Sequence, residues 1–391
     1  MAKVVQERRP IRALEFFSGI GGLHYGFHLS GVLGEVVSSF DVNTVGNEVY
    51  RHNFNKDPNN VSILFSQFTS IDTLSAKDID RYQANCWLMS PPCQPYTRGG
   101  KMLDDQDPRA KALLHLIDIL PKLSQPPEYI FLENVLNFET SRSRIILLTQ
   151  LDSLSYTVHE CLLSPLQFGI ANDRLRYYLM ARRRSAGPSA DPTTKYSERA
   201  MVHTRWPFEG EEVSYEPVEL ARVLEQGVDE MEEFRVPEKD LLKSFDFRFD
   251  IVRQTDRRTS AFTKAYGSRH FYKAGSILQT KQIDVTSYDF TNPSTLIPLG
   301  LRFFTPLEVA RLHAFPVPPF GAQPDPPSEP EQPAEPRSFR QPTSPPYLEF
   351  PPTVTTIQRH RLLGNSLNCW VVGELLRCVL FKMKSEEVNE W

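Results

Sequence analysis

The feature that most constrains this chain is a repeated local pattern in its first 185 residues. Short apolar runs alternate with helical segments, and each run ends in polar or turn-forming residues. The runs at 13–17, 35–40, 86–89, 129–132 and 176–181 read as strands, and the apolar spacing over 110–120 reads as a helix. Strands separated by helices argue for an α/β fold with a doubly wound, mainly parallel sheet. In such sheets ligands bind beyond the carboxyl ends of the strands. The polar punctuation falls at those ends, so this lobe is expected to carry the chemistry.

Composition narrows the class. A length of 391 residues allows two to three domains, or one large catalytic domain with an added lobe. Apolar residues make up 40% and charged residues 24%, which excludes a fully disordered chain. No apolar run reaches the ~18 residues a membrane helix needs. Residues 1–12 lack the apolar core of a secretory signal, so the expected location is the cytoplasm, with the nucleus also open. Five cysteines without CxxC spacing argue against a disulfide framework and a zinc site, and no metal is expected. The net charge of -4 does not itself point to nucleic acid. Residues 209–240, however, hold twelve acids against three bases, so the remainder is net positive and a basic face stays open.

The expected organisation follows these shifts. Residues 1–185 form the first part of the catalytic lobe. Residues 186–300 form an inserted second lobe. Residues 301–315 and 353–391 complete the catalytic lobe, with a helix over 301–315 and another from about 367. Residues 316–352 hold 14 of the 32 prolines, which excludes a helix or a central strand. This tract is expected to be a disordered surface insertion, either neutral or a dock for a protein partner.

Three sets of residues carry chemical signals. Phe16-Phe17-Ser18-Gly19-Ile20-Gly21-Gly22 follows a strand and opens a helix. Its glycines let backbone approach a ligand, and Asp41 at the next strand end can accept ribose hydroxyls. The loop lacks both the G-x-G-x-x-G spacing and a following Lys, which argues against a dinucleotide or a phosphate-donating ATP. By itself it is equally a tight strand–helix turn. In Ser90-Pro91-Pro92-Cys93-Gln94-Pro95, prolines stiffen a turn around one cysteine. A nucleophile benefits from that rigidity, while a buried structural cysteine is the plain alternative. Glu133 can donate a proton to a ring nitrogen, and Arg174 and Arg176 share one face of an extended segment. Each of these also has an ordinary surface reading.

Taken together, the ordered set resembles the cytosine-5 methyltransferase family. It runs from Phe-Ser-Gly-Ile-Gly-Gly through Pro-Pro-Cys-Gln, Glu-Asn-Val and Arg174-Leu175-Arg176. Arg302 with Thr305-Pro306-Leu307-Glu308, Phe315-Pro316 and Gly364-Asn365-Ser366 completes it. Asp41-Val42-Asn43-Thr44-Val45, Phe262-Thr263 with Tyr266-Gly267, and Arg361-Leu362-Leu363-Gly364-Asn365-Ser366 are similar to the small eukaryotic type-2 branch, regarded as tRNA cytosine-5 methyltransferases. The resemblance implies a Rossmann-like methyltransferase sheet with a smaller target-recognition lobe. It implies S-adenosyl-L-methionine as donor and S-adenosyl-L-homocysteine as product. The implied target is cytosine 38 in the anticodon loop of tRNA-Asp, bound by a monomer, with DNA a less favoured substrate.

By the same resemblance Cys93 attacks C6, Glu133 contacts N3, and Arg174 and Arg176 support the flipped base. Phe17, Ser18, Gly19, Ile20, Gly21, Gly22, Asp41, Val42, Phe68, Thr69, Ser90, Pro91, Asn365 and Ser366 are expected at the cofactor. Gln94, Arg98, Phe262, Thr263 and Tyr266 are expected at the substrate. Arg182, Arg183, Arg184, Arg257 and Arg258 are candidate phosphate contacts. The chain departs from the branch at Ala261, where the branch has Cys, and at Leu136-Asn137, where it has Lys-Gly. A DNA cytosine-5 methyltransferase and a catalytically silent RNA-binding homologue remain the alternatives. A Rossmann oxidoreductase leaves Pro-Pro-Cys-Gln unexplained.

Overall fold

The computed structural model describes residues 9–58, 70–97, 103–184, 201–208, 215–268, 271–318 and 336–382. Its centre is a seven-stranded sheet in the order β2-β1-β3-β4-β6-β5-β7. The strands are β1 (Ile11–Phe16), β2 (Gly34–Phe40), β3 (Cys86–Met89), β4 (Tyr129–Val135), β5 (Tyr156–Leu163), β6 (Arg176–Arg183) and β7 (Val202–His203). Helices α1 (Gly22–Leu29), α2 (Thr44–Phe54), α3 (Ala76–Asp80), α4 (Lys111–Ile119) and α5 (Arg142–Ser153) connect them. β2, β1, β3 and β4 are parallel, whereas β6 is antiparallel to both β4 and β5.

The sheet is mainly parallel, as expected, and β6 is the one strand that runs against the others. Strand β5 was not among the expected strands, although Tyr156, Val158 and Leu163 are buried at near-alternate positions. Pairing with β6 also lengthens β4, so that Glu133 and Asn134 lie inside the strand rather than after it. The strand order reverses between β1 and β3, and a crevice at such a reversal is where open α/β sheets hold ligands.

The second lobe contains α6 (Glu238–Leu242) and a three-stranded sheet of β8 (Ile251–Val252), β9 (Ile277–Gln279) and β10 (Leu301–Arg302). The helix expected over 301–315 is therefore divided. Leu301 and Arg302 pair with β9, and α7 (Pro306–Leu312) starts only after Thr305. Thr305 and Glu308 cap each other's backbone, and Pro306 occupies the first turn, where it sacrifices no hydrogen bond. Helix α8 (Thr356–Gly364) packs against α7, and α9 (Cys369–Leu375) packs over α1. One continuous apolar cluster joins Leu23, Tyr25 and Phe27 of α1 to Phe262 and Phe271 of the second lobe, through Leu362, Leu367 and Val372.

The proline tract differs from expectation where it is described. Residues 336–352 pack on the catalytic lobe instead of standing free. Arg337 Nε reaches Glu374 at 2.6 Å, and its guanidinium lies 4.8 Å from the Trp370 ring centre. Phe339 meets the same ring edge-on, and Tyr25 Oη donates to Tyr347 O. Prolines forbid a helix here but leave backbone carbonyls and interspersed aromatic and basic side chains free to dock. Residues 319–335 lie outside the described residues.

Candidate active site

Strand β1 ends in a loop with three left-handed residues, Phe17, Gly19 and Gly21. Asp41, at the end of β2, holds this loop: its carboxylate accepts from Gly19 N at 2.8 Å and Asn43 N at 2.7 Å. Burial raises the Asp41 pKa, and those backbone donors oppose it. Ser90, after β3, donates its hydroxyl to Phe17 O at 3.0 Å. A Cβ at Gly22 would stand 2.9 Å from Ser366 Oγ, so the Asn365-Ser366 turn after α8 presses on the same loop. Thus Ser18, Gly19, Gly21, Gly22, Asp41, Ser90 and Ser366 are brought together. Val42 stands exposed beside them, while Ile20 points into the core. Phe68, Thr69 and Arg98 lie outside the described residues.

Sequence reasoning did not single out Glu15 beneath this loop. It is fully buried in β1 and accepts from His24 N and Tyr50 Oη. Burial pushes its pKa up to about 8. An acid in the middle of the apolar run Ala-Leu-Glu-Phe-Phe was the available signal.

Cys93 follows β3 in the proline turn. Its carbonyl accepts from Tyr96 N at 3.0 Å, and Asn134 Nδ2 of β4 donates to Pro91 O at 3.2 Å. The turn is therefore tied to the strand that carries Glu133. Of the five cysteines only Cys93 retains exposure, and Gln94 beside it is also partly open. Burial raises the Cys93 thiol pKa, Glu133 adds to that, and Arg176 and Arg174 pull it down. Arg109 is a second residue the sequence reading missed. It is half exposed, is braced by Asp107 at 2.6 and 2.8 Å, and feels the charge of Cys93.

Glu133 is 9% exposed, and Arg176 Nε lies 3.5 Å from its Oε1. Burial raises the Glu133 pKa, and Arg176 and then Arg174 oppose it. A carboxyl balanced in this way can hold or release a proton.

The other predicted residues are placed differently. Arg174, expected to support a base, is 3% exposed and spends its guanidinium on backbone carbonyls. Nη1 donates to Phe262 O at 2.7 Å, and Nη2 donates to Gly364 O at 3.2 Å and to Ser366 O. It fastens the second lobe and the Gly364 turn to β6. Phe262 and Tyr266, expected at the substrate, are core residues; Tyr266 Oη donates to Ser276 O and accepts from Phe304 N. Thr263 between them keeps partial exposure.

Arg182 pairs with Tyr129 at the start of β4, the opposite end of the strand from Glu133, so Arg182, Arg183 and Arg184 are not at this site. Arg257 is held by Glu219 and Glu216, and Arg258 by Asp173. These neighbours offset the charge proposed for phosphate contacts.

The close approach at Gly364 gives a direct test of the junction. A Cβ there would lie 2.3 Å from the Thr263 carbonyl carbon and 2.5 Å from Lys264 N, both backbone atoms. Gly364→Ala is expected to destabilise the protein by about 1–3 kcal/mol, read as a lowered thermal unfolding midpoint.

Comparisons with known proteins cover nearly the whole chain. A family model described as C-5 cytosine-specific DNA methylase matches residues 11–327. A DNA (cytosine-5)-methyltransferase of Dictyostelium discoideum is 35% identical, over 95% of this chain and 94% of that protein. A tRNA (cytosine(38)-C(5))-methyltransferase of Bos taurus is 35% identical, over 94% of this chain and 98% of that protein. The solved structure of the Entamoeba histolytica methyltransferase EhMeth superposes with a TM-score of 0.71 at 29% identity, covering 94% of this chain and 97% of that one. That of Schizosaccharomyces pombe Dnmt2 gives 0.69 at 31% identity, covering 95% and 98%.

Proposed function

The chain belongs to the C-5 cytosine-specific DNA methylase family, and on that premise we propose that it methylates C5 of a cytosine in tRNA. The target in this reading is cytosine 38 in the anticodon loop of tRNA-Asp, and the donor is S-adenosylmethionine. The observation that carries the chemistry is the meeting of Cys93, Glu133 and Arg176 at neighbouring strand ends, beside the glycine loop. Preference for tRNA is supported by the length-wide likeness to proteins named as tRNA cytosine-38 methyltransferases. Extruding a base also costs less from a loop than from a duplex.

The loop residues suit the proposed donor. Ser18 Oγ is buried with no hydrogen-bond partner among the described residues, and the Cβ position of Gly19 opens on free space. The backbone of residues 18–22, Asp41 and the Asn365-Ser366 turn would hold the donor there. S-adenosylmethionine would supply an electrophilic methyl on a sulfonium sulfur.

The chain's own residues prepare the base. Cys93, as thiolate, forms a bond from Sγ to C6, while Glu133 donates its proton to N3 and takes up the ring's developing charge. Arg176 beside Glu133 orients that carboxyl. Addition at C6 makes C5 nucleophilic. Once C5 has taken the methyl group that the donor would supply, its proton passes to solvent, the bond from Sγ to C6 breaks to return the Cys93 thiolate, and N3 gives its proton back to Glu133, which restores an aromatic ring. Burial favours the protonated form of both groups and Arg176 and Arg174 oppose it; the reactive arrangement, with the proton on Glu133 and Cys93 ionised, is one of the two ways the site can hold a single proton.

Methyl transfer from labelled donor to tRNA-Asp transcript, a transcript with uridine at position 38, and duplex DNA tests this. Label in the first, at least about tenfold above the other two, is the expected result. Label in duplex DNA alone would establish the DNA reading instead. Absence of label with donor binding intact would favour the silent homologue, for which Ala261 is the feature to restore to Cys.

A further inference from the structure

A group of buried polar atoms behind Glu133 has no role in the chemistry above. Tyr178 Oη, Arg174 Nε, both ring nitrogens of His313, and Asn172 Oδ1 have no hydrogen-bond partner among the described residues. Tyr178, Asn172 and His313 are completely buried, and Arg174 is nearly so. Buried polar groups are almost always paired with protein or with ordered water. Those of Tyr178, Arg174 and His313 therefore mark a polar place suited to ordered water inside an otherwise apolar cluster.

The fold brings them together. Glu133 and Tyr178 are direct partners across the β4–β6 ladder, so their side chains share one face with Cβ atoms about 5 Å apart. Arg176 lies two residues before Tyr178 and so falls on that face too. Arg174 donates to the Phe262 carbonyl, and the His313 ring meets the Phe262 ring edge-on at 6.5 Å. The charge of Glu133 is felt at Tyr178, and that of Arg174 at both Tyr178 and His313. Burial lowers the His313 pKa well below its usual value, so the ring is neutral and offers one donor and one acceptor.

We propose that Tyr178 and His313, with the Nε of Arg174, are positioning residues that hold internal water behind Glu133 and through it orient the Glu133 carboxyl. The proposal rests on the reading of Glu133 as the group that protonates the cytosine ring. Tyr178 is the cross-ladder partner of Glu133, and a hydrogen bond from its O–H relayed through water favours the ionised carboxylate. Groups facing Glu133 from the packed elements are Arg176, Arg174 and Tyr178 on and before β6, and Cys93 after β3. Cys161 on β5 lies behind Tyr178, and His313 closes the cluster from the end of α7.

The test is the pH dependence of kcat/KM for methyl transfer to the tRNA-Asp transcript. At low pH Cys93 and Glu133 are both protonated, and the enzyme becomes competent on losing one of the two protons. The acid limb therefore follows Glu133 and the alkaline limb follows Cys93. Tyr178→Phe keeps the ring and removes only the donor, so the Glu133 pKa rises. The acid limb is expected to move to higher pH by about half a unit or more, an approximately threefold loss of rate well below the midpoint, with the alkaline limb unmoved.

His313→Leu is expected to move the limb the same way, and His313→Gln, which keeps a donor and an acceptor, to leave it near wild type. A purely structural role would lower the whole profile without moving the limb, and that result overturns the proposal. Glu133→Gln separates the two levels. Inactive Glu133→Gln with an unmoved limb in Tyr178→Phe rejects only the hydrated cluster. Wild-type activity in Glu133→Gln rejects the role of Glu133 and the cluster with it.

Discussion

Cys93→Ala is expected to reduce methyl transfer by roughly 10⁴-fold or more while leaving the fold and donor binding intact. The size follows from the proposed role of Cys93 as the group that bonds to C6. The other four cysteines are buried, and burial raises their thiol pKa values, so none can substitute. Folding should be spared because the turn is held by the Cys93 carbonyl, by Asn134 Nδ2 on Pro91 O and by the prolines, not by the thiol. Donor binding should be spared because the glycine loop is organised by Asp41 and Ser90.

The measurement is label transfer beside equilibrium binding of the donor. A residual rate within tenfold of wild type would remove Cys93 from the reaction. A complementary assay uses RNA with fluorine at C5 of the target cytosine. No proton can be lost there, so wild type should remain bonded to the RNA on a denaturing gel and Cys93→Ala should not.

The second large effect concerns stability. Arg302 and Glu308 form a buried bidentate pair, with Nη1 at 2.8 Å from one carboxylate oxygen and Nη2 at 2.9 Å from the other. Glu308 is fully buried and also accepts from Thr305 N at 2.8 Å and Glu225 N at 2.9 Å. It thus caps α7, grips β10 and fastens the acidic segment of the second lobe at once. Glu308→Ala leaves a nearly buried guanidinium with only Asp229 and the Phe303 carbonyl as partners, and two backbone amides with none.

Breaking one side of a buried ion pair costs about 3–5 kcal/mol, more than forming it contributes, because the remaining charge stays desolvated. The unfolding midpoint should fall on the order of 10 °C. Replacing both partners with apolar residues of similar volume, Arg302→Met with Glu308→Leu, should recover part of that loss. A fall below ~1 kcal/mol in Glu308→Ala would show that the second lobe does not depend on this pair.

How much of this was readable from residues alone depends on the range of the interactions. Thr305-Pro306 and Glu308 announce a helix start because a cap is satisfied within four residues, and α7 begins there. The strand ends at Phe16, Phe40 and Met89 were legible because an apolar run simply stops. Strand β5 was missed because its alternation is interrupted by the buried Glu160, which is made tolerable by Arg144 and Tyr177 from elsewhere. Residues 336–352 looked unable to fold because prolines forbid regular structure. Their order comes from Glu374, Trp370 and Tyr25, none of them near in sequence.

The sequence by itself determined the class of fold and the chemical groups that stand at the strand ends: the glycine loop, Asp41, Cys93, Glu133 and Arg176. Those depend on local periodicity and on residue types that few other roles explain. Only the tertiary structure decided what Arg174 does, that Phe262 and Tyr266 belong to the core, and that Tyr178 stands across the ladder from Glu133. The acceptors of Arg174 come from residues 88 to 192 positions away in the chain. A guanidinium two residues from Arg176 shares its extended face on paper. Which carbonyls surround it, and therefore whether its charge is spent on backbone or kept for a ligand, is settled by packing between lobes that no local pattern encodes.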